Sequence, residues 1–295
     1  MEMKIGSKSN KIKYYFLVPA LTVLIFMTIV PLIFSLGVSF TNYSPTRIGS
    51  WSFIGFENFI RTFTDSEIGT SFINNVIFVV VSVTIEFVLG MVIALLLNRK
   101  IRGISFIRTM FLLPMMVTPV AVGLMWRWLL NTDYGLLNYF IEQVFGITSI
   151  NWLGSYSLAM PSIILVDIWK WTPFMILSLL AGLQSLSQEP IEAARIDGAS
   201  NWQIFRYVTL PRLKNIIFVI LLIRTIDCLT RSFDVVWTLT NGGPGLSTEL
   251  LSLRIYRLAF KFWETGYASA VSWLYLLLVI FITTRFISYL YKQEF

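Results

Sequence analysis

Two groups of charged residues stand inside otherwise apolar stretches of this 295-residue chain, and both are built for recognition rather than bond breaking. Arg224, Asp227, Arg231 and Asp234 are spaced three, four and three apart, which places all four on one face of a helix. Asp167, Lys170 and Trp171 share a face at i, i+3 and i+4, with Trp169 beside them and Pro173 just beyond. Indole faces suit the C–H side of a sugar ring, and flanking polar groups suit its hydroxyls. Catalytic chemistry has little to work with. The chain has no histidine and one cysteine, Cys228. His-based triads, imidazole metal sites, Cys-cluster metal sites and intrachain disulfides are thereby excluded. Only Asp and Glu residues could serve an enzyme, and none form an obvious catalytic pair. No G-x-x-x-x-G-K-[ST] phosphate loop occurs, so ATP hydrolysis would need another subunit.

The elements holding these groups are membrane spans. Hydrophobic residues make up 56% of the chain and charged ones 13%, where soluble chains average about 25% charged. A crossing helix needs about 20 apolar residues. Six stretches approach that: 14–40, 72–97, 104–130 with Pro114 and Pro119 inside, 158–183, 213–239 and 265–284. The first has a basic start at Lys4, Lys8, Lys11 and Lys13, but its apolar part is too long for a signal-peptide core, so it reads as a retained anchor. With the N-terminus inside, most of the 23 basic residues fall on the cytoplasmic side, and the outer segment 131–157 has none. The expected fold class is therefore an all-α polytopic membrane protein of six helices with both termini cytoplasmic, forming one domain. The net charge of +7 then reflects basic inner loops rather than nucleic-acid binding. Trp126 and Trp128, near the outer end of the third stretch, are belt candidates.

A charge in mid-membrane costs several kcal/mol unless it faces protein, water or a partner. The 224–234 stripe therefore turns away from lipid. It is either a ladder of ion pairs buried against neighbouring helices or, in part, the lining of a path, chiefly through Arg231 with Phe233 nearby. Lys170 and Arg231 together could favour an acidic sugar, with Asp167 and Asp227 placed to neutralise them.

The segment 187–211 has its own local chemistry. Ser187 is the expected N-cap of a short helix carrying Glu189, Pro190 and Glu192 in its first turns, and Gly198 ends it. Ser200 and Gln203 form a capping box for a second short helix on which Trp202, Phe205 and Val208 share one side. The expectation is a rigid amphipathic knob on the cytoplasmic face, or else a helix pair lying on the headgroups.

Within that segment, Glu192-Ala193-Ala194, three residues, Gly198, nine residues, Val208, one residue and Leu210-Pro211 resemble the EAA-x3-G-x9-I-x-LP motif of permease subunits of bacterial ABC importers, with valine in place of isoleucine. The segments Gly55-Phe56-Glu57-Asn58-Phe59, Gly135-Leu136-Leu137-Asn138, Trp152-Leu153 and Ala181-Gly182-Leu183-Gln184 are similar to carbohydrate permeases of the MalF type. So is Phe233-Asp234 followed by Thr240-Asn241-Gly242-Gly243-Pro244, Thr248-Glu249 and Tyr256. The resemblance implies a MetI-like type I importer fold with core helices over 72–291. It implies a MalG-like second permease subunit, two ATPase subunits that hold ATP and Mg, an extracytoplasmic substrate-binding protein, a carbohydrate substrate, and a cell-membrane location. It implies ATPase coupling through Glu192, Ala193, Ala194, Asp197, Gly198, Trp202 and Phe205. It places the substrate pathway at Asp167, Trp169, Lys170, Trp171, Asp227, Cys228, Arg231 and Phe233. The rival reading is a secondary transporter driven by an ion gradient, for which six spans are few and no inverted repeat is visible.

Overall fold

The computed structural model describes residues 6–47, 49, 51–98, 104–147 and 149–291. Part of the expected basic inner segment, at 99–103, and the basic residues Lys4 and Lys292 lie outside the described residues. Helices account for most of what is described. They are α1 (Gly6–Ser39), α2 (Glu57–Thr64), α3 (Ser66–Leu97), α4 (Ile104–Met116), α5 (Pro119–Leu129), α6 (Leu136–Phe145) and α7 (Ala159–Ser185). They continue with α8 (Glu189–Ile196), α9 (Asn201–Ile204), α10 (Leu210–Arg231), α11 (Phe233–Leu239), α12 (Leu251–Phe260) and α13 (Thr265–Tyr291). A π-helical turn, Phe205–Thr209, joins α9 to α10.

Helices α1, α3, α7 and α13 are each long and apolar enough to cross a membrane. The other two expected spans differ from simple rods. The stretch 104–130 is the pair α4 and α5, bent by 94°. Pro119 opens α5 at the position where its missing N–H costs nothing, and the chain breaks just before it. The stretch 213–239 is α10 followed by α11, divided at Ser232. Asp234 therefore belongs to a different helix from Arg224, Asp227 and Arg231, and the single four-residue stripe expected from spacing stops after three.

The chain divides into two compact units, residues 1–64 with 255–275 and residues 65–254 with 276–295. In the first, the Asn58 side-chain amide donates to the carbonyls of Ser39 and Thr41 at 2.9 Å each, tying α2 to the end of α1. Phe40 gathers Phe56 and Phe59 at ring distances of 5.3 and 5.2 Å. Arg61 pairs with Glu264 at 2.6 Å and lies 3.9 Å from the centre of the Tyr267 ring.

The second unit is organised by α3 packed along α7. Gly90 makes the approach possible: a Cβ there would stand 2.5 Å from that of Met175. Small residues at such crossings are the usual solution where apolar burial gives no net drive between helices in lipid. The loop between α11 and α12 is equally ordered. Thr248 bonds the Thr240 hydroxyl at 2.7 Å and the Gly243 carbonyl at 2.8 Å. Asn74 on α3 donates to the Leu246 carbonyl at 2.7 Å.

Candidate functional site

Arg224 is 1% exposed and is the largest fully buried side chain described. Its Nε and Nη2 donate to the two oxygens of Glu86 on α3 at 2.6 and 2.8 Å, a forked pair. Nη2 also reaches Asp167 on α7 at 2.5 Å, and Nη1 reaches Asp227 one turn along α10 at 3.1 Å. Asp227 in turn meets Arg231 Nε at 3.5 Å. Three helices are thus pinned at one point by charges that satisfy one another. Of the two readings of the stripe, the ion-pair ladder describes Arg224 and Asp227. Arg224 is entirely internal, whereas Asp227 and Arg231 also face a cavity.

That cavity encloses about 490 Å³. The broken end of α4 and the start of α5, Met115 to Pro119, form one side of it. Asp167, Lys170 and Trp171 from α7 and Asp227, Thr230 and Arg231 from α10 form the rest, closed by Ser232 to Val235. Six of the eight expected pathway residues border it. Asp167, Lys170, Trp171 and Asp227 line the cavity, as do Arg231 and Phe233. Trp169 does not: its ring packs edge-on against Trp126 at 5.6 Å, which also takes Trp126 out of a purely lipid-facing role. Cys228 is buried behind the wall, its Sγ 4.0 Å from Asp167.

Glu86 is the member that sequence reading overlooked. A lone carboxylate in an apolar span was its only signal, and the cation that answers it lies 138 residues away. The break between α4 and α5 was visible as two prolines, but not that it opens onto the site.

The segment 187–211 forms a projecting knob, with small differences in its caps. Gln188, not Ser187, occupies the N-cap of α8 and gives no side-chain bond, because the helix starts at Glu189. Gly198 terminates that helix with φ +80°, a conformation costly for any residue with a Cβ. Ser200 and Gln203 make both bonds of a capping box. Glu192, Ala193, Asp197, Gly198 and Trp202 are exposed, and Phe205 is half-buried with its ring 5.7 Å from that of Trp202. Ile196 and Tyr207 are exposed beside them.

Comparison with known proteins fits this architecture. The trehalose/maltose transport system permease protein MalF of Thermococcus litoralis is 38% identical over 95% of this chain and 94% of its own. A probable ABC transporter permease protein, y4oQ of Sinorhizobium fredii, is 37% identical over 94% of this chain and 89% of its own. A chain of the bacterial ABC transporter involved in import of the acidic polysaccharide alginate has the same fold, with a TM-score of 0.83 at 22% identity over 97% of this chain and 96% of that one. Residues 86–293 match the family described as binding-protein-dependent transport system inner membrane component. A multi-pass chain whose charges converge on a cavity, with that match over well more than half its length, belongs to the binding-protein-dependent transport system inner membrane components.

Proposed function

We propose that this chain is the permease subunit of an ATP-driven carbohydrate importer, forming half of the pore and acting as a single permease domain. The observation that carries the substrate class is the cavity wall. Trp171 and Phe233 offer apolar ring faces, while Lys170, Thr230, Arg231 and Asp234 offer donors and acceptors beside them. That is the combination a sugar needs, with a C–H face to stack and hydroxyls to satisfy. The near-full-length likeness to a trehalose/maltose permease supports it. In this reading a MalG-like subunit completes the pore, two ATPase subunits supply the work, and an extracytoplasmic binding protein delivers the cargo.

The coupling surface is the knob from Glu189 to Thr209. Its Trp202, Tyr207 and Ile196 are mostly exposed, and Glu192 stands exposed on α8 beside the small Ala193. A shallow hollow lined by Asp197, Gly198, Gln203 and Tyr207 adds relief to the same surface. The capping box and the π-helical turn join this surface rigidly to α10, and through α10 to the cavity. Glu192→Lys and Gly198→Asp are expected to leave the protein in the membrane and abolish binding-protein-dependent uptake. Wild-type uptake by both variants refutes the coupling assignment. A cognate binding protein that holds no carbohydrate refutes the substrate class.

A further inference from the structure

We infer that the cavity takes the negatively charged group of its cargo, a carboxylate or sulfonate on a sugar, through Lys170 and the start of α5. This deepens the carbohydrate reading and rests on it. Lys170 is 3% exposed, lines the cavity, and forms no ion pair or hydrogen bond among the described residues. Its Nζ lies 5.4 Å from the centre of the Trp171 ring, and the carboxylates of Asp167, Asp227 and Asp234 attract it from beyond ion-pair distance. A buried ammonium with three unused donors requires an acceptor. The nearby carboxylates are already engaged: Asp167 accepts from Arg224, and Asp227 accepts from Arg224 and Arg231. Glu86 is engaged by Arg224 as well.

The broken helix points the same way independently. Thr118 and Pro119, at the start of α5, border the cavity, and no side chain caps that N-terminus; Pro119 has no N–H, so the uncapped donors belong to Val120 and Ala121 just behind it. The first N–H groups of a helix are unsatisfied from within it and carry its partial positive charge. A half-helix ending at a membrane cavity is a recurrent seat for anionic substrate groups. Arg231 adds further donors, its side chain held only by the 3.5 Å contact to Asp227. Asp234 is the remaining lining carboxylate and attracts Lys170 without forming an ion pair with it. It supplies an acceptor for hydroxyls, which an acidic sugar also carries. Lys170 thus keeps donors that no protein acceptor takes up, next to carboxylates that can accept hydroxyls, and the ligand that uses both is an oxyanion with hydroxyls.

The test uses the assembled importer in lipid nanodiscs, titrated with glucuronate and with glucose and read by saturation-transfer NMR of the sugar signals. Glucuronate is expected to saturate at a concentration roughly tenfold below glucose. Lys170→Gln removes the difference, and Lys170→Arg keeps most of it, which separates lost charge from lost fold. Equal or tighter binding of glucose, a preference that survives in Lys170→Gln, or no saturable binding of glucuronate overturns the inference. Any of these together with ATP-driven uptake of a carbohydrate leaves the proposed function standing. Absence of uptake for every carbohydrate tried removes that reading too.

Discussion

Arg224 holds three carboxylates from three helices with one guanidinium, so its removal is a different event from the loss of any single partner. Arg224→Met would leave Glu86 and Asp167 buried with no cation in contact. Breaking a buried pair in this way costs about 3–5 kcal/mol, chiefly through the charge left behind. The expected result is a lower thermal unfolding midpoint of the purified complex, followed by tryptophan fluorescence, and a poorer folded yield. Glu86→Gln keeps an acceptor for the guanidinium and removes one charge of three, so its midpoint should fall less. A Glu86→Gln effect as large as that of Arg224→Met would show that the fork, not the cluster, dominates. At this scale the sequence disclosed Asp167, Arg224 and Asp227, because i, i+3 and i, i+4 spacing is a local property. It did not disclose Glu86 as their partner, since the pairing of α3 with α10 is tertiary. Nor did it separate Trp169 from Trp171: two residues apart on a helix, they differ by which neighbour each meets.

The helices are where local rules worked best and where their limits are plainest. Gly198 marked the end of α8, and Ser200 with Gln203 the start of α9, each through a bond or a backbone angle fixed within four residues. The π-helical turn at Phe205–Thr209 left no such mark, because one extra residue in a turn changes no residue preference. The division of the fifth stretch at Ser232 was also hidden, since α10 and α11 continue one polar and apolar pattern. Contact between elements gives a prediction of its own. Gly90 faces Met175 where α3 meets α7, with no room for a Cβ, and Met175 is fully buried. Gly90→Val forces the two helices apart, an overpacking cost of about 1–3 kcal/mol. Because α3 and α7 carry Glu86 and Asp167, the same substitution should weaken their grip on Arg224. Gly90→Val is therefore expected to lower both the thermal midpoint and uptake. Normal values for both would show that the crossing can relax.

For the whole molecule, the question is where the work of transport comes from. A gradient-driven carrier needs ionisable groups that can change partners with the ion, and the internal charges here are held by one another. Glu86, Asp167 and Asp227 all contact Arg224, at 2.5 to 3.1 Å. The chain has no phosphate loop of its own, and it carries a knob whose Trp202 and Tyr207 are mostly exposed. Hydropathy made the membrane class legible, and spacing made the knob legible, because both are properties of short segments. The placement of the cavity depended on how α4, α5, α7 and α10 converge, which no segment specifies alone. The expected division of labour follows: the knob receives mechanical work, α10 carries it, and the wall of the cavity changes its exposure. In proteoliposomes holding the full importer, with ATP inside and the binding protein outside, depleting ATP with the ion gradients intact should stop uptake. Collapsing the gradients with ATP held constant should leave uptake within about twofold, a change worth under 1 kcal/mol at the barrier. The reverse pattern would mean that the clustered charges move with an ion after all, and that the knob serves some purpose other than coupling.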